Sequence, residues 1–380
     1  MAQNCKLRDL EVLVLDCQAT HSDPVKGKIF EIAWIRTKAS ETFPKEEQAE
    51  SHLVAFKDNE DLPRYISKIT GILPGDFRFA IPAEDAWKRL QKSAQAAASE
   101  NKAVLCPTII HYSRYEEPFL RKLHREFCLE TQFPFRIICT HQIVKQLLPG
   151  LPRKGLRAMC GYFGHPQPDA RRSRNHVLGT AFIWAHLVSI LEEQKKCLTL
   201  DDLICFLERP LSHPDRLNPV RVYPMAENFR KNTPDSPGLY RMFRSNGDLL
   251  YIGKAKSLKR RIADYFQKKG KHSEHILEML SQAKSLSYSL TQTVFEAALR
   301  ESDEIKALSP SYNIALRSSE GGPFFATTDL QSCRQKPDSL HRIGPLPSQK
   351  HIASLSSLMA IINGSCGRIT PQVTAKALAA

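Results

Sequence analysis

Tyr240 and Tyr251 stand eleven residues apart, each in a tripeptide with glycine: Gly238-Leu239-Tyr240 and Tyr251-Ile252-Gly253. Lys254, Lys256, Lys259, Arg260 and Arg261 follow at once, and Tyr265 comes four residues after Arg261. Farther on, Glu301 closes the run Glu296-Ala297-Ala298-Leu299-Arg300-Glu301, ahead of Pro310, Tyr312 and Asn313. Hydrolysis of a phosphodiester requires an activated water, a cation against the charge growing on phosphorus, and help for the leaving oxygen. Phenols, a guanidinium and a carboxylate are groups of those kinds. Each is ordinary alone, since a strand tyrosine is usually packing and a basic helix usually a solvated face. Their order and spacing carry the case.

These residues need four elements to position them. Gly238 to Tyr240 opens a strand, Ser245-Asn246-Gly247-Asp248 holds the Asn-Gly signal of a hairpin turn, and Leu249 to Gly253 forms the return strand. Leu258, Ile262 and Phe266 recur at helical spacing, which predicts a basic helix over 255–268. Arg261 and Tyr265 then share one helix face. A helix over 272–283, a strand over 286–290 and the helix carrying Glu301 complete a small α/β domain at 234–317. The basic helix, with Lys256, Lys259, Arg260 and Arg261, suits DNA phosphates and predicts binding that weakens with salt.

The two tripeptides, the basic run, Glu301 and the Pro310-x-Tyr312-Asn313 segment together resemble the GIY-YIG endonuclease family, in particular the N-terminal nuclease module of UvrC and its stand-alone relative Cho. Arg300 departs from the family pattern, which has an apolar residue there. The resemblance implies a nuclease that makes single-strand incisions in damaged DNA during nucleotide excision repair, on the 3′ side of a lesion. It implies one Mg²⁺ or Mn²⁺ at Glu301, keeping several of its waters as hard cations prefer. It implies Arg261 on the scissile phosphate, and Lys254 beside Tyr251, lowering that phenol's pKa to make it a general base. Tyr240 would orient a water, Tyr265 would meet phosphate or the metal's waters, and Asn313 would order the site. The damage-loading helicase subunit of the excinuclease is the implied protein partner.

Upstream, a different alternation predicts a mixed-sheet α/β domain over 1–193. Strands are expected at 11–15, 29–37, 51–56 and 103–110, helices at 81–99 and 116–127, and a loop at Ile69-Thr70-Gly71-Ile72. The order of these pieces resembles the DnaQ-type 3′–5′ exonucleases of the RNase H-like fold. The chemistry of that family uses four carboxylates on two metals and a histidine that activates water. Carried across residue by residue, Asp16 is kept, Gln18 replaces a carboxylate, Glu116 is a longer second-motif acid, His176 is kept, and Ala181 replaces the last aspartate. An amide and a methyl cannot replace two anionic ligands. The domain is therefore expected to be inactive, with Asp16 and His176 reduced to surface or capping residues and Arg171, Arg172 and Arg174 forming a basic loop beside the old site.

The expected fold class is thus an RNase H-like exonuclease-fold domain followed by a small α/β GIY-YIG nuclease domain. Residues 194–233 read as a linker, with a short helix at 200–207 and Pro210, Pro214, Pro219 and Pro224. Residues 318–380 read as a tail: a Ser/Gly/Pro-rich loop from Ser318 to Asp329, a Gly-Pro turn, and one packing helix within 342–364. The chain has 380 residues, a net charge of +14 and 54 basic residues, which favours a polyanionic partner. No apolar run approaches the ~20 residues that cross a bilayer. Ten cysteines without a Cys-x-x-Cys pair argue against a zinc site or a disulfide framework, and for a reducing cytoplasm. Two rivals stand beside the repair nuclease: a structure-specific or defence nuclease, and a non-catalytic DNA-binding adaptor with both sites vestigial.

Overall fold

The computed structural model describes residues 5–56, 62–166, 171–210, 221–267, 272–313, 324–334, 336–346 and 355–356. By its contacts the chain divides into two units, Met1–Ala297 and Ala298–Ala380.

The first unit opens with β1 (Val12–Ala19), β2 (Ile29–Thr37) and β3 (Glu50–Leu53), then α1 (Arg64–Thr70) and α2 (Ala83–Glu100). There follow β4 (Cys106–Ile110), α3 (Ser113–Phe127), β5 (Phe135–Cys139), α4 (Thr140–Leu147), α5 (Leu156–Phe163) and the 23-residue α6 (Ser173–Lys195). The five strands lie in the order β3-β2-β1-β4-β5, with β1 antiparallel to β2 and parallel to β4. The unbroken apolar run of β1 follows from burial on both faces. Val12 and Val14 pack with Trp184 and Leu187 of α6, while Leu13 and Leu15 pack with Trp87 and Leu90 of α2. Alternation puts Asp16 on the Val14 face, toward α6. The expected loop at 69–72 is instead the end of α1, whose C-cap Gly71 has φ +75°, a conformation that favours glycine.

The chain continues through α7 (Leu200–Glu208) and a short α8 (Glu227–Lys231) that the proline-marked linker did not announce. Then come β6 (Gly238–Phe243), β7 (Leu249–Ala255), α9 (Leu258–Tyr265), α10 (Glu274–Leu280) and β8 (Ser285–Leu290). The strands form an antiparallel sheet in the order β7-β6-β8, with β6 central. Ser257 caps α9, its Oγ accepting from the Arg260 amide at 3.2 Å, so the helix starts three residues later than its periodicity suggested.

The unit boundary falls within α11 (Val294–Leu308). The second unit adds a sheet of β9 (Phe324–Thr327), β10 (Cys333–Arg334) and β11 (His341–Leu346), in the order β10-β9-β11. This corrects the expected loop at 324–327, where Phe324 and Ala326 belong to a small core with Leu330 and Ile343. It also corrects the expected Gly-Pro turn, since Gly344 and Pro345 lie inside β11. Most of that helix, from 347 onward, lies outside the described residues, as does the proline-rich stretch 211–220.

Candidate active site

The β6–β7 hairpin explains the two glycine–tyrosine tripeptides. Tyr240 pairs with Gly253 across the hairpin, and Tyr251 with Met242. A Cβ on Gly253 would lie 2.3 Å from the Tyr240 hydroxyl, and one on Gly238 would lie 2.3 Å from the Ser289 carbonyl oxygen on β8. Both glycines are therefore demanded by close approach, the first to admit a phenol and the second to admit a strand. Lys254 pairs with Leu239, one position off, so the register sends it to the sheet face opposite Tyr251.

Three phenols meet behind the hairpin. The hydroxyls of Tyr240 and Tyr265 lie 2.9 Å apart. Arg261, one turn before Tyr265 on α9, donates to both: Nη2 to the Tyr265 hydroxyl at 3.2 Å and Nε to the Tyr240 hydroxyl at 3.4 Å. The Tyr251 ring centre is 6.0 Å from that of Tyr240 and 6.5 Å from that of Tyr265. Tyr240 is wholly buried; burial first, then Tyr265 and Tyr251, push its phenol well above its ordinary value of 10. A phenol so placed stays protonated and braces its neighbours. Tyr251 is half-exposed, and Arg261 keeps part of its surface in solvent. The arrangement presents a guanidinium and a phenol outward from a fixed hydrogen-bonded base, a geometry suited to gripping a phosphate. Lys256, Lys259 and Arg260 are exposed along the same helix region.

His272 is a neighbour that sequence reasoning did not single out. It stacks on Tyr265 at 6.1 Å and 28°, with Nε2 buried and unpartnered. Its position just after the basic run was the only signal, and a lone histidine there is indistinguishable from a solvated one.

Glu301 lies half-buried on α11, and Asn313 is buried with Tyr312 just beyond that helix, all three in the second unit. Among the described residues no three His, Cys, Asp or Glu side chains gather into a metal-binding group. The Glu301 carboxylate is a hard oxygen donor, of the kind Mg²⁺ takes in preference to a soft metal.

The exonuclease-like end of β1 is different. Asp16 and Glu116 are only 9% and 8% exposed, and Asp16 Oδ1 lies 3.1 Å from His176 Nδ1. Buried Asp16 and half-buried His176 therefore form a pair, which corrects the expectation of surface or capping residues. Asp16 Oδ2 and Glu116 Oε2 are buried without partners. Burial, then the Asp16 charge, raises the Glu116 carboxyl to about 9. Ala181 is buried on α6, and the Gln18 amide donates to the Arg171 carbonyl at 3.0 Å. Two acids and a histidine remain where four acids would be needed for two ions, so this donor set does not fit a metal pair. Arg172 is not a loose basic residue either: it clamps buried Glu31 at 2.7 Å, while the Ser173 amide at the start of α6 donates to the same carboxylate at 3.0 Å. Arg174 lies 4.0 Å from Glu46.

No helix among the described residues is long and apolar enough to cross a membrane, and the nine described cysteines are all free.

A family model described as a UvrC-like GIY-YIG domain matches residues 236–314, and an exonuclease model matches residues 13–171. The UvrABC system protein C of Neisseria meningitidis is 45% identical over 103 residues, 27% of this chain and 16% of that protein. That of Rhizobium meliloti is 39% identical over 104 residues, 27% of this chain and 15% of that protein. The chain thus spans about a sixth of the length of the curated relatives it matches. Among solved structures, the GIY-YIG N-terminal endonuclease domain of UvrC from Thermotoga maritima, bound to magnesium, is 32% identical, covering 24% of this chain and 100% of that one at a TM-score of 0.21. The nuclease domain of 3′hExo, a DEDDh family member bound to rAMP, is 16% identical, covering 49% of this chain and 93% of that one at a TM-score of 0.38. This chain carries a UvrC-like GIY-YIG nuclease domain behind a DnaQ-like exonuclease-fold domain.

Proposed function

We propose that residues 234–317 form a metal-dependent DNA endonuclease that makes single-strand incisions at damaged sites in nucleotide excision repair, on the 3′ side of the lesion. The carrying observation is the Arg261–Tyr240–Tyr265 network with half-exposed Tyr251 at its edge. A polyanion-binding role alone would not need a buried phenol pair to hold an arginine. Nothing in that network is vestigial in the way that Gln18 and Ala181 are, which disfavours the adaptor reading.

In this reading Arg261 binds the scissile phosphate and stabilises the charge that develops on it. Tyr251 takes the proton of the attacking water, and buried Tyr240 fixes Arg261 and Tyr265 instead of orienting the water itself. Tyr265 contacts the phosphate, Lys254 contributes positive charge, and Lys256, Lys259 and Arg260 hold the flanking strand. Asn313 orders the segment that carries Glu301. Glu301 would hold a divalent cation, which would supply further positive charge and an activated water. The relatives named UvrABC system protein C support a partnership with the damage-loading helicase subunit. The domain at 1–193 is proposed to be without 3′–5′ exonuclease activity.

Incision of a duplex carrying one defined lesion, with and without that helicase subunit and with the cut mapped, tests the reading. A single cut 3′ to the lesion that depends on Mg²⁺ supports it. Cutting at branched or undamaged DNA with no preference for the lesion would favour the structure-specific or defence nuclease.

A further inference from the structure

Within the first unit, one stretch of the exonuclease-fold domain, from Gly150 to Arg157, touches the supports of the Tyr265 phenol from two directions. We propose that this domain serves the nuclease as a brace: residues 150–157 fix α10, and His272, just ahead of α10, passes that constraint to Tyr265 through their stacked rings. His272, Arg153 and Arg157 are then positioning residues.

The stretch is anchored in its own domain. Leu151 is buried in the core that holds Trp184 and Leu187 of α6. The Lys154 ammonium donates to the carbonyls of Pro149 at 3.0 Å and Leu151 at 2.5 Å. The Lys154 carbonyl oxygen lies 3.0 Å from Nε2 of buried His111. A loop whose polar groups close on its own core moves with that core.

From there it grips α10 along its length. The Arg153 guanidinium pairs with Glu274 in the first turn, and the Arg153 amide donates at 2.9 Å to Oγ of Ser281, the C-cap. Arg157 pairs with Glu278 between them, at 3.5 Å. Partly exposed ion pairs add little stability. What they fix is register, since α10 cannot slide without breaking all three contacts.

His272 lies two residues before Glu274, half-buried, its ring centre 6.1 Å from that of Tyr265 and its plane tilted 28°. Its Nε2 is buried without a hydrogen-bond partner, so the ring face is what His272 offers Tyr265. The second support reaches Phe266, the next residue of α9's end. The Val222 amide donates to the Gly150 carbonyl at 2.8 Å, and Tyr223 meets Phe266 edge-on with ring centres 5.1 Å apart. The Arg230 guanidinium sits 4.8 Å over the same Phe266 ring. Tyr265 in turn shares its hydroxyl with Tyr240 and Arg261. Displacing such a group by about 1 Å costs on the order of 10²-fold in rate.

Reading Tyr265 as part of the cutting site rests on the proposed function, and two readouts keep brace and function apart. Amide hydrogen exchange of the full chain in EDTA, and single-turnover plasmid nicking with Mg²⁺ at saturating protein, are measured on the same variants. R153E/R157E sets like charges against Glu274 and Glu278; it is expected to raise exchange over 262–267 and slow nicking at least tenfold. R153E/R157E/E274R/E278R, with the wild-type net charge, should restore both. H272F, which keeps a ring, should nick as wild type does, and H272A should be slow. Unchanged exchange over 262–267 in R153E/R157E, or H272F as slow as H272A, would overturn the brace. A wild-type chain that does not nick, with exchange rising and recovering as expected, would support the brace while removing the proposed function.

Discussion

The side chains of this protein carry two nuclease-like sites whose electrostatics differ in kind. Around Arg261 the hydrogen bonds close: one guanidinium serves two phenols, and the buried phenol is held neutral. Around Asp16 they do not close, since two carboxylate oxygens are buried without partners. Leaving such groups unsatisfied costs stability, about 1–3 kcal/mol for each. An acid whose folded pKa is raised from 4.5 to about 9 favours the fold fully below pH 4.5, and that contribution is lost as pH rises toward 9. Glu116→Gln removes the ionisation, so the variant should melt above wild type at pH 8, by ~2–4 °C for each kcal/mol regained, with the gap closing at pH 5. Thermal melts in EDTA at the two pH values check this, and a lower melting temperature at pH 8 would contradict it.

At the scale of elements, α9 is the part that meets DNA in this account, and its contribution is separable from catalysis. Lys259→Ala with Arg260→Ala should lessen the salt dependence of DNA binding by about 0.9 per lost phosphate contact in log K against log salt. A titration series between low and moderate salt reads the slope; an unchanged slope would remove α9 from the interface. The hairpin and α9 were legible because their signals are local: Asn246-Gly247 sets the turn, and Leu258 and Ile262 mark the buried face. The tail was not. Phe324 to Thr327 and His341 to Leu346 become strands by pairing with each other, a tertiary choice that a Gly-Pro pair and a polar flank conceal. The Asp16–His176 pair was hidden for a like reason, because their 160-residue separation gives no local signal. The losses at Gln18 and Ala181 were legible, since a missing carboxylate needs no geometry to be seen.

At the scale of the molecule, the exonuclease-fold domain and the β6–β8 sheet of the GIY-YIG domain are packed together within the first unit. Within the first unit, α5 faces α10 and the β6–β7 turn. The Arg153 amide donates to Ser281 Oγ at 2.9 Å, Arg157 pairs with Glu278 at 3.5 Å, and Asn246 donates to the Gly164 carbonyl at 3.3 Å. The Lys284 ammonium sits 4.1 Å over the Tyr162 ring. Gly161 is the tightest point: a Cβ there would lie 1.8 Å from Gln282 Oε1, an oxygen that accepts from Arg244 Nε at 3.1 Å. Gly161→Leu should therefore open the seam, raising hydrogen exchange in α5 and α10 and splitting one thermal transition into two. Unchanged exchange on both faces would show that the domains do not lean on each other.

We propose that the GIY-YIG domain cuts DNA and requires both Arg261 and, as the residue that would hold a divalent cation, Glu301. Conversion of supercoiled plasmid to the nicked form, with Mg²⁺ and with EDTA, tests it most directly. The wild-type chain should nick only with Mg²⁺, Arg261→Ala should lose roughly 10²–10³-fold in rate as for removal of a charge-stabilising donor, and Glu301→Gln should lose nicking while still binding the plasmid. Equal nicking by wild type and Glu301→Gln would contradict the account.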